Sequence, residues 1–387
     1  MSANKLAELE QRIAGSLGRK HCCLVGRGAT AIYLALRALP ASRGKVVLPA
    51  VVCPSPANAV LYAGLEPVFC DINLDDYTLD IASLQRVLAM HDDIVAIMPV
   101  HLYGYPAEMD TIQAIARKRR LYVIEDAAQA LGAGYHGKPV GNFGDFSIIS
   151  FGHTKILDVG LGGAVLCDDD FLAATIRRAL VEVPECPPAV SRRFADYRTV
   201  YYAIRNLCEM DEQLNDLYLP LPSIYRDMYL FRISLETVDK IAASLDLLPA
   251  IVEKRRRNAR EYDRLLSHRL IRKPTYRHAG VPWRFSFLLS DNVQTALTAQ
   301  LRAASVDVSN WYPPLYRWYA SGKMQPQDLF PNADFLGKHI VNLWVDPSVE
   351  TGSISRTCEI LVDILCALDV GEHGQTPSVQ EMTRDEP

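Results

Sequence analysis

The chain has no long apolar run, no marked charge excess and no paired-cysteine pattern, and each absence removes a class of protein. Without an apolar stretch of bilayer length, no membrane-spanning helix is expected. The opening Met1-Ser2-Ala3-Asn4-Lys5 leads into a charged amphipathic stretch, so no secretory leader is expected. Lysine and arginine number 41 against 45 aspartate and glutamate, a formal net charge of −4. That balance leaves no electrostatic footprint for nucleic acid or an anionic lipid surface. The nine cysteines form no CxxC pair. Neither a metal site nor a disulfide framework is read from them, and reduced, buried thiols in a cytoplasmic protein are expected. There is no internal repeat and no low-complexity tract. What remains is an ordinary globular composition, 49% apolar and 22% charged, in a chain of 387 residues long enough for two domains.

Hydrophobic periodicity organises the first half. Leu6, Leu9, Ile13 and Leu17 share one face of a helix over 5–17. Short apolar runs follow at His21–Val25, Lys45–Leu48, Pro67–Ile72, Ile94–Val100, Leu121–Glu125, Phe146–Phe151 and Ala164–Cys167. Helical patterns such as Leu84–Met90 and Met109–Arg120 separate several of them. Strands alternating with helices predict an α/β fold, a mainly parallel sheet covered on both faces. Residues 183–228 break this rhythm with Pro184, Pro187 and Pro188 and a tyrosine-rich helical stretch, read as a lid or an interface element. The spacing predicts a long helix or helix pair over 234–268, then a smaller α+β domain. The expected division is therefore 1–235 for a large domain with a helical insertion at 183–228, 236–370 for a small domain, and a disordered tail at 371–387.

Three stretches carry chemistry. Gly26-Arg27-Gly28-Ala29-Thr30 joins a strand to the helical run Ala31–Leu39 and presents free N–H groups at a helix N-terminus, a natural phosphate seat. Leu121-Tyr122-Val123-Ile124-Glu125-Asp126 ends an apolar strand in a carboxylate, where ligands of parallel sheets bind. Asp126 is either a ligand of that kind or a cap for a helix beginning Ala127-Ala128-Gln129-Ala130. Ser150-Phe151-Gly152-His153-Thr154-Lys155 follows another strand and precedes Gly160-Leu161-Gly162-Gly163. An aspartate and a lysine so placed suit pyridoxal phosphate: the amine condenses with the aldehyde, and the carboxylate keeps the pyridine nitrogen protonated. His101 reads either as a satisfied loop histidine or as a neighbour of cofactor or substrate. His153 reads equally as a substrate contact or a packing residue. The basic run Lys254-Arg255-Arg256-Arg257 with Arg260 reads as a solvated helix face or a subunit contact.

Together these stretches resemble the DegT/DnrJ/StrS family of pyridoxal-phosphate-dependent aminotransferases, most of which act on keto-sugar nucleotides. The resemblance is strongest over 5–168 and weaker from about 235 to 368. Its most specific parts are Ile124–Ala133 and Gly144-Asp145 followed by Ser150-Phe151 and Lys155; Glu66–Ile72 and Pro99–Gly104 also match. It implies fold type I: a mostly parallel seven-stranded sheet, a smaller α+β C-terminal domain, and a homodimer with active sites at the subunit interface. By the same resemblance Lys155 is the catalytic Schiff-base lysine, Asp126 pairs with the pyridine nitrogen, and Gln129 lies at the ring's phenolic oxygen. Ser150 and the Gly28-Ala29-Thr30 turn hold the phosphate. Separately from the resemblance, His101, His153 and Tyr312 are candidate substrate contacts. The chain departs from the family at Cys53, where an aromatic residue usually covers the ring. It departs again at Leu161, and at Leu230-Phe231-Arg232 in place of Asn-Tyr-Arg.

The reaction this implies is transfer of an amino group from glutamate or glutamine to a keto-sugar nucleotide or related keto acceptor. Two other readings stand beside it: a dehydratase-like keto-sugar enzyme, in which histidine replaces the lysine, and a non-catalytic pyridoxal-phosphate-binding partner subunit. Residues 183–228 are expected to cover the acceptor.

Overall fold

A computed structural model describes residues 2–275, 278–319 and 329–373. Seven strands build the large sheet: β1 (His21–Val25), β2 (Lys45–Pro49), β3 (Glu66–Cys70), β4 (Ile94–Ile97), β5 (Tyr122–Asp126), β6 (Phe146–Ser150) and β7 (Gly163–Cys167). Their order is β1-β7-β6-β5-β4-β2-β3. β7 runs antiparallel to both of its neighbours, and every other pairing is parallel. Every residue of β6 and β7 is buried, as a sheet covered on both faces requires.

The carboxyl ends of β1, β5 and β6 therefore share one edge, where the amino end of β7 meets them. There Gly163 pairs with Val25 on one side and Ser150 on the other. A Cβ on Gly163 would lie 2.5 Å from the Gly28 nitrogen, so only glycine lets the turn after β1 close onto β7.

A second sheet comprises β8 (Ile271–Arg272), β9 (Phe285–Leu289), β10 (Val308–Ser309) and β11 (Ile340–Leu343), all antiparallel, in the order β8-β9-β11-β10. Tyr262, Phe285, Phe287, Leu297, Leu343 and Leu361 join strands and helices in its separate core. The expected helix pair is present as Leu235–Leu245 and Leu248–Leu265. The first of these packs Val238 and Ile241 into the large-sheet core and bonds the opening helix Ser2–Leu17 through Lys5–Asp239 and Arg12–Asp246. The change of core thus falls within the helix Leu248–Leu265. The helix Thr351–His373 runs into the segment expected to be a tail; residues 374–387 lie outside the described residues.

Main-chain bonds close the seam between the two halves. Val281 N–H donates to the Gly104 carbonyl (3.1 Å) and Trp283 N–H to the Tyr103 carbonyl (2.9 Å). Gly104 has φ +90° and a Cβ there would meet Val281 oxygen at 1.9 Å, so the approach again requires glycine. Among the described residues no helix is long and apolar enough to cross a membrane. All nine cysteines are free thiols.

Adjacent strand residues point to opposite faces, so Glu125 and Asp126 diverge. Glu125 is fully buried and accepts from Gly141 N (2.6 Å), Phe143 N (2.8 Å), Gly144 N (3.1 Å) and Ser147 Oγ (3.1 Å), with His101 Nε2 at 3.0 Å. Burial alone would push this carboxyl up; the His101 bond and the loop N–H groups outweigh it and hold the carboxyl below its ordinary value. A depressed folded value means the contribution is complete above the unfolded glutamate value near ~4.3 and disappears as pH falls through the folded one. Glu125→Ala strands these donors, and a loss of about 3–5 kcal/mol is expected in urea unfolding at pH 7. The gap between variant and parent should shrink as the pH is lowered below about 4.

Candidate active site

At the shared strand edge lies a cavity of about 520 Å³ between the large sheet, the helix Val190–Met210 and the second sheet. Gly28, Ala29, Cys53, Asp126, Gln129, Ser150, His153, Lys155 and Tyr312 all line it. Thr30 and His101 are not brought to its wall.

Asp126 ends β5, 4% exposed, with one carboxylate oxygen accepting from Ala128 N (2.9 Å). No helix follows it. The chain makes tight turns, with Ala130 N–H bonded to the Ala127 carbonyl, so the carboxylate shapes a turn rather than capping a helix. Burial raises its pKa, opposed by the Ala128 N–H and the nearby Lys155 charge. A carboxylate held this way is stabilised by a further cation.

Lys155 is half-buried in the loop after β6. Its carbonyl accepts from Arg255 Nη2 (3.5 Å), and the Thr154 carbonyl accepts from Trp283 Nε1 (2.5 Å). Thr154 has φ +65°, unusual for a β-branched residue, and its N–H donates to Asp158 (2.7 Å). Such strain persists only where surroundings enforce it, and here they fix the lysine's backbone.

The turn after β1 opens the helix Gly28–Arg37 with no side-chain cap, leaving its first N–H groups without partners inside the helix. A Cβ on Gly28 would meet Ser150 Cβ at 3.3 Å and Oγ at 3.4 Å, so the glycine leaves open the pocket between turn and serine. Ser150 Oγ accepts from Gly152 N (3.3 Å), which leaves its hydroxyl proton for an outside acceptor. Thr30, by contrast, turns inward and donates to the Tyr229 carbonyl (2.8 Å), tying the helix to the Leu230-Phe231 segment. Its expected role at the phosphate passes to the backbone.

Gln129 is fixed at both ends: its oxygen accepts from Tyr103 N (2.9 Å) and its Nε2 donates to Tyr312 Oη (2.7 Å). Tyr312 stacks against Tyr103 and Trp283. His101 is fully buried behind Asp126 rather than facing a substrate. Its Nδ1 accepts from Ala107 N (2.9 Å), so the ring proton lies on Nε2 toward Glu125, and its own N–H donates to the Asp126 carbonyl (3.0 Å). It braces the strand end. His153 stacks on Phe194 of the helix Val190–Met210. Cys53 lies half-buried on the cavity wall, its thiol near Ser55 Oγ (3.4 Å).

Residues that the sequence reading did not single out complete the wall. Phe194, Tyr197, Arg198, Tyr201, Tyr202 and Arg205 place one face of the helix Val190–Met210 on the cavity. Arg27 lies against Phe194 (4.8 Å). Arg284, the residue just before β9, also lines the cavity. Arg255, expected on a solvated face, is buried; its spacing with Val252, Ala259 and Tyr262 already marked it as part of the helix's inner stripe.

These residues fit pyridoxal phosphate. An uncapped helix N-terminus with a serine hydroxyl suits the phosphate, a buried carboxylate suits a pyridinium nitrogen, and a lysine faces the same space. The sheet order, with this cluster at its strand ends, is that of a fold type I α/β protein. Residues 1–187 match the sequence model of the DegT/DnrJ/EryC1/StrS aminotransferase family.

GDP-perosamine synthase of Caulobacter vibrioides is 41% identical over 173 residues, 44% of this chain and 46% of that protein. The chain spans about half the length of such curated relatives. UDP-2-acetamido-2-deoxy-3-oxo-D-glucuronate aminotransferase of Pseudomonas aeruginosa is 28% identical over 362 residues, 93% of this chain and 90% of that one. The crystal structure of a DegT DnrJ EryC1 StrS aminotransferase from Brucella abortus matches with a TM-score of 0.74 at 24% identity, covering 96% of this chain and 91% of that one, a likeness of fold.

Ser150→Ala removes one hydroxyl donor to a charged group. Affinity for pyridoxal phosphate should fall about tenfold in a spectroscopic titration, with the melting temperature unchanged.

Proposed function

We propose that the chain is a pyridoxal-phosphate-dependent aminotransferase that moves an amino group from glutamate or glutamine to a keto-sugar nucleotide or a related keto acceptor. The observation that carries this reading is the convergence of Asp126 and Lys155 on one cavity, beside the seat formed by Gly28, Ala29 and Ser150. When bound, pyridoxal phosphate supplies an aldehyde for the substrate amine and a ring that withdraws electrons from the bonds at the substrate's α-carbon.

The protein's own residues do the rest. The N–H groups of the Gly28 turn and the Ser150 hydroxyl hold the phosphate, with Arg27 nearby. Asp126 would keep a proton on the ring nitrogen, and Gln129, held by Tyr103 and Tyr312, would present its amide to the ring. Lys155 Nζ would take the proton from the donor's α-carbon and return it, acting as base and then acid. Tyr312 and Trp283 line the same cavity as the lysine. Cys53 leaves the ring face without the aromatic cover expected there.

A nucleotide-linked acceptor is supported by the names of the two relatives, both of which concern nucleotide sugars. It is supported also by the cavity wall that the helix Val190–Met210 supplies in aromatic and arginine side chains. We infer that this insertion covers the acceptor. The reading includes a cytoplasmic homodimer.

The purified protein should show a visible band from lysine-bound cofactor that bleaches on addition of glutamate. Lys155→Ala should lack the band and lose turnover by roughly 10³-fold or more; full turnover in that variant would sink the assignment. Arg198→Ala combined with Tyr202→Ala should raise the acceptor KM about tenfold or more and leave the bleaching by glutamate unchanged. Equal loss in both half-reactions would remove the insertion from the acceptor site.

A further inference from the structure

Six cationic side chains line the cavity, Arg27, Lys155, Arg198, Arg205, Arg284 and Arg302, and Asp126 is the one carboxylate among the described residues that does so. A site with this imbalance calls for anionic ligands. Of the six, Arg284 is held in the most revealing way. It is 3% exposed, and its guanidinium carbon lies 4.5 Å from the Trp283 ring centroid and 4.2 Å from that of Trp344. Both indoles lie within cation–π distance, and hydrogen bonding falls to its in-plane N–H edge.

That edge is underused. Nη1 donates to the Trp283 carbonyl (3.1 Å), which already receives Arg255 Nη1 (3.0 Å). Nε is buried without a partner. No carboxylate among the described residues forms an ion pair with Arg284 or with Arg255. Asp346 and Asp158 act on the two only from farther away, and Asp346 is engaged by the Ser348 N–H (3.2 Å) and hydroxyl. Two adjacent buried guanidinium groups without an anion are costly to keep, and one of them opens onto the cavity. Burial and the neighbouring Arg255 lower the Arg284 pKa to about 10, so it remains a cation at neutral pH.

We propose that Arg284 is a carboxylate clamp: its guanidinium edge binds a substrate carboxylate, either the α-carboxylate of the amino donor or a carboxylate carried by the acceptor. Arg255 is a positioning residue. It holds the Trp283 carbonyl on which Arg284 rests and, through its other nitrogen, the Lys155 carbonyl (3.5 Å), so the clamp and the lysine share one support. The identity of the carboxylate's owner rests on the aminotransferase reading; the clamp itself does not.

Isothermal titration of the holoenzyme and of Arg284→Gln tests this with three probes that lack a transferable amine. Glutarate reports a donor-type carboxylate, UDP-glucuronate an acceptor-type one, and UDP-glucose serves as the control without a carboxylate. Wild-type protein should bind at least one carboxylate probe, and Arg284→Gln should weaken that binding roughly 10- to 100-fold. UDP-glucose binding should be unchanged, as should the visible cofactor band. Selective loss with glutarate assigns the donor, and selective loss with UDP-glucuronate assigns the acceptor. Arg284→Lys, which keeps the charge and loses the planar fork, should recover part of the affinity and guards against a folding defect in the glutamine variant. The proposal is overturned if wild type binds neither carboxylate, if Arg284→Gln binds both as wild type does, or if all three probes weaken together. If no cofactor band exists at all, the aminotransferase reading fails while the titration still reports on the clamp.

Discussion

Every part of the candidate site depends on the absence of a side chain at Gly163. This residue starts the one reversed strand of the large sheet and pairs with the ends of β1 and β6 at once. Because nothing projects there, the turn after β1 lies against β7, and the Gly28 nitrogen and the Ser150 hydroxyl come to face a common space. β5 then brings Asp126 to the same edge. The anion seat, the carboxylate and the lysine loop are consequences of how three parallel strands end around one reversed neighbour.

The parts of the site legible in the sequence are those whose meaning is local. A strand ending in Asp126, a glycine turn opening a helix and a strand running into the Lys155 loop each announce themselves within a few residues, and the structure gathers all three. Thr30 and His101 were legible as near the site but not in orientation. A threonine one turn into a helix can face either way, and the inward choice follows from the Tyr229 carbonyl 199 residues later. His101 is claimed by Glu125 and the Ala107 N–H, partners whose approach depends on the fold of the 101–107 loop. The insertion was legible as a break in rhythm; which face of its helix meets the cavity was not.

Arg255 and Arg284 differ in why they were missed. Arg255 lies in register with Val252, Ala259 and Tyr262, and a helical-wheel reading would have placed it inside; the run of neighbouring cations concealed the stripe. Arg284 carries no local signal. What distinguishes it is what its surroundings lack, a counter-ion, and that emerges only when β9 sets it between residues from distant parts of the chain. Buried charge without a partner is legible in three dimensions alone.

The seam at Gly104 has a consequence for how such a chain changes over time. The bonds that join Tyr103 and Gly104 to Val281 and Trp283 run between backbone groups, so they demand an open approach and place little demand on side chains. The second half can therefore exchange most of its surface and core residues and still dock in the same place. The family's sequence model matches residues 1–187, whereas likeness of fold extends over 96% of the chain. A junction written in main chain lets the half that carries Arg284 drift while the half that carries Lys155 stays recognisable.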